Sequence, residues 1–387
     1  MKILTVLTYY RPHTSGLTIY VERMAESLVK RGHEVTVLTS QFEPDLPRRE
    51  MREGVKVVRA PVWFRISKGV IMPTFGLLAW KLVASHDVVH LHLPQFDAAG
   101  VALRGRLLGK PTVLTYHCDL QLPAGFFNRV VNGVVQTMNY AAGFLAHRIA
   151  AYTEDFASHS PFLQQFSDKV RVILPPVDLP AVSDEKISGF KAEHNPEDKS
   201  PVIGMATRFA TEKGVEVLLD ALPAILEAFP DTLVLYAGQY QNVMGEEAYF
   251  QRLSPRIEKY RSRGQWRFLG ILNPREMAAF YPNLDVLVVP SLNSTETFGL
   301  VQIEAMMQGT PTVASNLPGV RQPPRMTGMG EVAAIGDAQS LAREIKKILS
   351  QPEEYQGNPR EVTRQFDPLT NAAAYEELYQ RLMEGRG

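Results

Sequence analysis

The chain has 387 residues, more than one hydrophobic core usually serves, so we expect two or three domains. Its 41 Lys and Arg residues equal its 41 Asp and Glu residues, and this balance gives no indication of a nucleic-acid partner. The single cysteine, Cys118, excludes an internal disulfide and fits a reducing cytoplasm.

The charge is distributed unevenly along the chain. Residues 1–180 hold 20 basic and 14 acidic residues, a net of +6, and the remainder carries a net of −6. A basic first half favours contact with an anionic ligand or surface. Residues 1–10 have the pattern of a short strand and not of a signal peptide, and no uncharged apolar run reaches membrane-spanning length. We therefore expect a soluble cytoplasmic protein that is at most peripheral to a membrane.

The first half of the chain alternates predicted strands and helices. The strands are 2–10, 34–40, 55–61, 87–93, 111–117, 148–153 and 170–175, and the helices are 17–31, 70–85, 97–108, 124–147 and 155–166. Residues 111–116 are apolar and rich in β-branched side chains, as in a parallel sheet covered on both faces. Residues 183–200 are polar and charged, and we interpret them as a linker.

The second half repeats this alternation. The predicted strands are 202–206, 232–238, 266–270, 285–290, 311–315 and 331–335, and the helices are 214–229, 246–263, 274–281, 298–308, 338–349 and a terminal helix at 375–382. Two consecutive βαβ series predict an α/β protein with two doubly wound domains. Ligands of such domains bind where the carboxyl ends of strands meet the starts of helices.

Two glutamates, Glu296 and Glu304, lie eight residues apart around the start of the predicted helix 298–308. A helix N-terminus offers unpaired N–H groups and a positive dipole end to a phosphate. A glycine at this start, Gly299, lets the backbone approach that phosphate closely. The segment therefore predicts a site for a phosphorylated, hydroxyl-rich ligand, although taken alone it also fits an ordinary exposed helix. The candidate residues at the helix start are Phe298, Gly299, Leu300 and Val301.

Two cations, Arg208 and Lys213, flank the short loop between the strand 202–206 and the helix 214–229. An Arg fork and a Lys point charge can together hold a diphosphate. Solvated surface cations are the alternative for either residue taken singly.

Polar residues also follow two strands of the first half. Gly16 directly precedes the helix 17–31 and can bring backbone N–H groups near a phosphate or sugar, or it is a plain turn glycine. His117 follows the strand 111–117 and could bond a sugar hydroxyl or stabilise charge near the reacting carbon, or it is a buried structural histidine. Asp119, two residues on, can share its side of the extended segment.

Other ligand chemistries have weaker support. The sequence has no G-x-G-x-x-G after a strand and no complete P-loop, which disfavours two common nucleotide sites. His90, His92 and His117 could form a three-histidine metal site of hydrolase type, but the carboxylate-bearing continuation is missing after His92.

The motifs together resemble the retaining glycosyltransferases of the GT-B fold known as family 4. The resemblance rests on the Glu-x7-Glu pair at 296 and 304, the Arg208-to-Gly214 loop and the loop before Gly16, where Ser15 replaces the first of two glycines. It covers nearly the whole chain. It implies two facing Rossmann-like domains with a cleft: residues 1–180 for the acceptor, 181–365 for the sugar nucleotide, and a terminal helix in 366–387 that returns to the first domain.

The resemblance also implies roles for individual residues. Arg208, Lys213 and the helix N-terminus would stabilise the departing diphosphate without a metal or other cofactor, and Glu304 would bind the ribose hydroxyls. Glu296 and His117 would contact the donor hexose. Asp119 is a weaker candidate for the acceptor. An oxygen of the leaving phosphate would receive the acceptor proton.

The implied activity is transfer of a hexose, with retention, from a UDP-hexose or a GDP-mannose type of donor to an acceptor hydroxyl. The acceptor would be a glycolipid, a lipid-linked sugar or a polysaccharide precursor. A sugar-nucleotide epimerase or a phosphorylase of the same fold stays open as an alternative, with the metal-dependent hydrolase further behind.

A membrane acceptor has some support in the first half. Residues 126–135 are apolar over most of a predicted helix surface, and bulky groups also occur at 62–64 and 77–80. Basic residues beside apolar ones favour an anionic membrane surface, so we expect peripheral contact of the N-terminal domain with the inner face of the membrane. The alternative is that these positions belong to a buried core.

Overall fold

The computed structural model describes residues 1–66, 69–120 and 125–385, which fold as two compact units. The N-terminal unit comprises Met1–Pro176 and Phe366–Gly387, and the C-terminal unit comprises Val177–Gln365.

The strands alternate with helices along both units. The strands are Lys2–Val6 (β1), Glu34–Gln41 (β2), Arg49–Arg52 (β3), Val55–Pro61 (β4), Phe64–Ile66 (β5), Gly69–Ile71 (β6), Val88–Leu93 (β7), Thr112–Tyr116 (β8), Arg148–Ala151 (β9), Val170–Val172 (β10), Val202–Ala206 (β11), Leu233–Ala237 (β12), Trp266–Gly270 (β13), Val286–Val289 (β14), Thr312–Ser315 (β15) and Gly330–Ala333 (β16). The helices are Gly16–Lys30 (α1), Phe75–Ser85 (α2), Ala98–Leu107 (α3), Phe126–Leu145 (α4), Glu154–His159 (α5), Pro161–Gln165 (α6), Asp184–His194 (α7), Val215–Ala228 (α8), Glu247–Arg261 (α9), Pro274–Phe280 (α10), Leu300–Met307 (α11), Gln322–Thr327 (α12), Ala338–Ser350 (α13), Pro359–Phe366 (α14) and Pro368–Met383 (α15).

Each unit is built on one large sheet. The N-terminal sheet has the order β10-β9-β8-β7-β1-β2-β4-β3, and its strands pair in parallel except for the antiparallel edge strand β3. The C-terminal sheet is parallel, with the order β13-β12-β11-β14-β15-β16. In both sheets the strand order reverses next to the first strand, at β1/β7 and at β11/β14. Doubly wound sheets bind their ligands at this reversal, outside the carboxyl ends of the strands.

Apolar cores lie on both faces of the C-terminal sheet. Helices α8, α9 and α13 pack on one face, and α7, α10 and α11 pack on the other. In the N-terminal unit, α2, α3 and α4 share one core with β1, β7 and β8. Helix α15 contacts α1, and the hydroxyl of its Tyr375 lies 2.7 Å from that of Tyr20 on α1.

Several predicted elements are wrong in their extent. The interpretation of 183–200 as a linker is incorrect, because α7 occupies Asp184–His194 and buries Phe190 against the C-terminal core. Only that one side chain of α7 is buried, which leaves a weak sequence signal. The predicted helix 155–166 is two helices, because Ser160 ends α5 and caps α6, whose first residue is Pro161.

Other predicted elements differ in their boundaries, and some elements were missed. The predicted helix 70–85 begins only at Phe75, because residues 69–71 form a strand that pairs antiparallel with residues 64–66. Strand β3 and helices α12 and α14 were not predicted. The strand predicted at 2–10 ends at Val6, which leaves residues 7–15 as the loop at the carboxyl end of β1.

Candidate functional site

The loops after β11 and β14 lie against each other at the strand reversal of the C-terminal unit. Gly214 has a φ of +69°, and a Cβ on it would come 2.0 Å from the carbonyl oxygen of Pro290, so only glycine fits there. The Leu292 N–H also donates to the Glu212 carbonyl, at 2.9 Å. These contacts bring the predicted diphosphate loop beside the predicted sugar loop.

Lys213, predicted to hold the diphosphate, and Glu296, predicted to contact the hexose, meet beside these two loops. The Lys213 ammonium lies 2.8 Å from Glu296 Oε2, and both side chains are mostly buried. The Gly299 N–H donates to the other carboxylate oxygen, Glu296 Oε1, at 3.1 Å. Glu296 is therefore fixed between Lys213 and the start of α11.

Arg208 lies at the carboxyl end of β11 and has a more exposed side chain. Its guanidinium pairs with Glu212, a residue of the same loop that the sequence motif contained but to which no role was assigned. The backbone N–H and hydroxyl of Thr211 both donate to Glu246 Oε2, at 3.0 and 2.8 Å. These bonds tie the loop to the start of α9.

Helix α11 begins at Leu300, two residues later than predicted, because Gly299 has the left-handed conformation with φ +75°. The first N–H groups of a helix, here those of Leu300 and Val301, have no partner inside the helix and can receive an anion. Phe298 precedes the helix with a buried side chain, so its side chain contributes to the core. Gln302 Nε2 donates to the Phe298 and Val320 carbonyls, at 2.8 and 3.0 Å, and holds this turn in place.

Glu304 is a buried carboxylate inside α11. The Tyr281 hydroxyl donates to Glu304 Oε2 at 2.7 Å and orients the group. No motif in the sequence marks Tyr281, because it lies 23 residues away from Glu304, at the end of another helix.

The loop after β1 in the N-terminal unit ends at the start of α1. Ser15, which stands where the resembling family has a glycine, is the N-cap of this helix and accepts a bond from the Thr18 N–H at 3.2 Å. Gly16 is the first helical residue, and a Cβ on it would meet no atom within 4 Å. Neither packing nor a positive φ requires glycine at position 16.

His117 is buried at the carboxyl end of β8. Its Nε2 lies 2.9 Å from His92 Nδ1, and its Nδ1 is hydrogen-bonded to the Tyr152 hydroxyl. The Tyr20 ring packs edge-on against the imidazole, with 5.0 Å between centroids. Burial lowers the pKa of His117 to about 3, so the imidazole is neutral at physiological pH. A bond from this ring to a sugar hydroxyl would have to replace one of these two partners.

Asp119 is half-buried and held by its neighbours. Its Oδ1 accepts bonds from the Ser160 hydroxyl at 2.8 Å and the Tyr116 hydroxyl at 3.0 Å. Burial raises the pKa of this carboxyl.

The three histidines of the hydrolase alternative do not converge on one point. His90 Nε2 and Nδ1 bond the Thr115 and Tyr379 hydroxyls, both at 2.7 Å, and His92 bonds His117 directly. Among the residues that the structure describes, no group of three or more His, Cys, Asp or Glu side chains could hold a metal ion. His90 is thus bonded to Tyr379 of α15, and His117 is bonded to Tyr152.

Comparison with known proteins identifies the family of the chain and agrees with the fold. The profile of the family "Glycosyl transferases group 1" matches residues 187–365, and that of "Glycosyltransferase Family 4" matches residues 14–180. An uncharacterised glycosyltransferase of Methanocaldococcus jannaschii is 28% identical over 83% of this chain and 82% of its own length. The phosphatidyl-myo-inositol mannosyltransferase of Mycobacterium leprae is 27% identical over 98% of this chain and 96% of its own.

Among solved structures, Anabaena HepE in complex with UDP and glucose superposes with a TM-score of 0.75. The match covers 98% of this chain and 99% of HepE at 19% identity, a level that speaks for the fold alone. The fold is that of the GT-B glycosyltransferases, which confirms the predicted fold class. The chain belongs to the family 4 glycosyltransferases and is an enzyme of that class.

Proposed function

We propose that this enzyme transfers a hexose from a nucleoside-diphosphate sugar to an acceptor hydroxyl with retention of anomeric configuration and without a metal ion. The observation that carries the proposal is the Lys213–Glu296 pair, 2.8 Å apart beside the N-terminus of α11. A cation, a carboxylate and a helix N-terminus in one place suit a ligand that joins a diphosphate to a polyhydroxylated sugar.

The cations and the helix act on the leaving group. When the bond between the anomeric carbon and the phosphate oxygen breaks, its electron pair goes to the diphosphate. Lys213, Arg208 and the first N–H groups of α11 stabilise that charge, which grows toward the transition state. The acceptor hydroxyl oxygen forms the new bond on the same face, and its proton goes to an oxygen of the leaving phosphate.

The carboxylates orient the donor. Glu304, held by Tyr281, accepts bonds from the ribose hydroxyls, and Glu296 accepts bonds from the hexose. We also assign Gly16, at the start of α1, to donor binding. His117 contributes a neutral imidazole whose low pKa excludes a role as a general acid at neutral pH.

The relatives support a sugar-nucleotide donor and are compatible with several classes of acceptor. One is a phosphatidyl-myo-inositol mannosyltransferase, and Anabaena HepE has been solved with UDP-glucose as well as with UDP and glucose. We propose a UDP-hexose or GDP-mannose as the donor, and a glycolipid, a lipid-linked sugar or a polysaccharide precursor as the acceptor.

A thermal-shift screen of UDP- and GDP-sugars tests the donor. A ligand that binds only the folded protein raises its stability by about 2.7 kcal/mol at a concentration of 100 Kd, which is readily seen as a rise in Tm. We expect one sugar nucleotide to raise the Tm in excess EDTA. The proposal fails if no sugar nucleotide does so, and conversion of the donor to its epimer would identify an epimerase instead.

A further inference from the structure

Helices α2, α3 and α4 present an unusually apolar outward face. They share one core under the N-terminal sheet, α3 packs against both neighbours, and large apolar side chains point to solvent on all three. The exposed apolar side chains are Leu77, Trp80, Leu103, Leu107, Phe126, Val130, Val134 and Phe144. We call this outward surface the three-helix face. The alternative that residues 126–135 belong to a buried core is wrong, because Phe126 is 82% exposed.

The charges of the three-helix face have one sign. Helices α2, α3 and α4 contain no Asp or Glu, whereas Lys81, Arg106 and Arg129 lie exposed on them. The nearest carboxyl along the chain to the start of α3, Asp97, is half-buried, and burial raises its pKa to about 6. Helices α1 and α15 of the same unit, in contrast, carry charges of both signs.

We propose that the three-helix face docks on the surface of a bilayer that contains anionic lipid. Exposed Leu, Phe and Trp side chains enter the boundary of the acyl chains, and neighbouring Lys and Arg side chains reach the lipid phosphates. The charge argues against a second copy of this chain as the occupant, because two such faces would bring basic groups together with no acid between them. None of the described helices is long and apolar enough to cross a membrane.

The docking surface is independent of the transferase proposal, because its test measures binding and not turnover. The probe is sedimentation with vesicles of phosphatidylcholine alone or with a quarter of phosphatidylglycerol, at low and at high salt. We expect wild type to sediment with the anionic vesicles, more weakly at high salt, and to stay in solution with phosphatidylcholine alone.

Substitutions on the face identify it as the contact. Leu77 and Leu107 are 73% and 66% exposed, so Leu77→Glu and Leu107→Glu should fold and should each weaken vesicle binding at least about ten-fold. Removing one basic charge, as in Lys81→Gln, should weaken it about five-fold. The matched control is Met51→Glu, because Met51 lies on strand β3 of the same unit with 67% exposure.

Three results would overturn the proposal. One is the absence of binding to anionic vesicles at low salt. Another is a loss of binding in Met51→Glu as large as that in Leu107→Glu, with thermal unfolding showing both variants folded. The third is a dimer in sedimentation velocity that Leu107→Glu converts to a monomer, which would assign the face to a second copy of the chain.

Discussion

The two strand reversals of this enzyme occupy the same position in two similar sheets, and the side chains at the carboxyl ends of β7 and β8 differ in charge from those that follow β11 and β14. At the reversal in the C-terminal unit, ionised groups meet: Lys213 with Glu296 and Arg208 with Glu212. At the carboxyl ends of β7 and β8 in the N-terminal unit, His92 and His117 are buried and neutral. The doubly wound topology fixes where a ligand binds, and the side chains decide what is done to it.

The difference indicates a division of work. In the proposed reaction, departure of the leaving group depends on fixed charge and a helix N-terminus, and both are present in the C-terminal unit. At the carboxyl ends of β7 and β8, the N-terminal unit instead has buried imidazoles that bond one another and tyrosine hydroxyls. If the comparison is right, substitutions of the charged side chains in the C-terminal unit should lower turnover. Substitutions of the buried histidines in the N-terminal unit should change stability and positioning.

The largest effect is expected for Lys213→Ala. Loss of this charge beside the departing phosphate should lower kcat by about 10²–10³ and weaken donor binding less, because the phosphate gains charge as it leaves. Steady-state kinetics with the donor found by thermal shift checks this. Lys259→Ala is the matched control, since Lys259 is an exposed lysine on α9 of the same unit. A wild-type kcat in Lys213→Ala would contradict the proposal that the charged side chains of the C-terminal unit drive departure of the phosphate.

The buried, neutral histidines of the N-terminal unit predict a pH dependence of stability. Burial lowers the pKa of His90 and of His117 to about 3, whereas the unfolded chain binds their protons near pH 6.5. The unfolded state therefore binds more protons between these values, and stability is present above pH 6.5 and is lost as pH falls toward 3. Between pH 7 and pH 5 the loss is about 2 kcal/mol for each such histidine.

The variant His90→Gln isolates this contribution. We expect the fall in unfolding free energy between pH 7 and pH 5 to be about 2 kcal/mol smaller in the variant than in wild type, whatever its stability at pH 7. Urea unfolding at the two pH values measures it. The raised pKa values of Asp97 and Asp119 act in the opposite direction in both proteins and cancel in the difference. Equal falls would show that His90 is charged in the folded protein or solvated.

A smaller effect on the enzyme kinetics is expected for Tyr281→Phe. The change removes the hydroxyl that donates to Glu304 and leaves the ring in place. We expect the KM for the donor to rise about ten-fold with little change in kcat, because the ribose carboxylate loses its orientation before and during the reaction alike. A change in kcat alone would place Glu304 at the reacting bond and not at the ribose.

The smallest effect on stability is expected for Gly16→Ala. A methyl group at this position meets no protein atom and favours the helix by up to about 1 kcal/mol, so the Tm should stay the same or rise. The donor KM should nevertheless rise, because the methyl occupies the space of the ligand. An unchanged KM would show that Gly16 does not approach the donor.

The sequence predicted the fold class and the loops that carry the candidate residues, because strand alternation and motif spacing are local properties. It did not predict that Lys213 and Glu296 touch, since 83 residues separate them and only the sheet order brings their loops together. The partners of His117 come from β7 and from the segment after β9, and no motif marks them. Helix α7 was missed because a helix with a single buried side chain has little apolar periodicity.

The central claim, retention supported by fixed cations, can be tested without knowing the acceptor. In excess EDTA, concentrated enzyme is mixed with an α-linked sugar nucleotide, and early proton NMR spectra identify the anomer first released to water. The account predicts that α-hexose appears before mutarotation, and that Lys213→Ala slows its appearance by about 10²–10³. Release of β-hexose, or release that requires a divalent cation, would contradict the account.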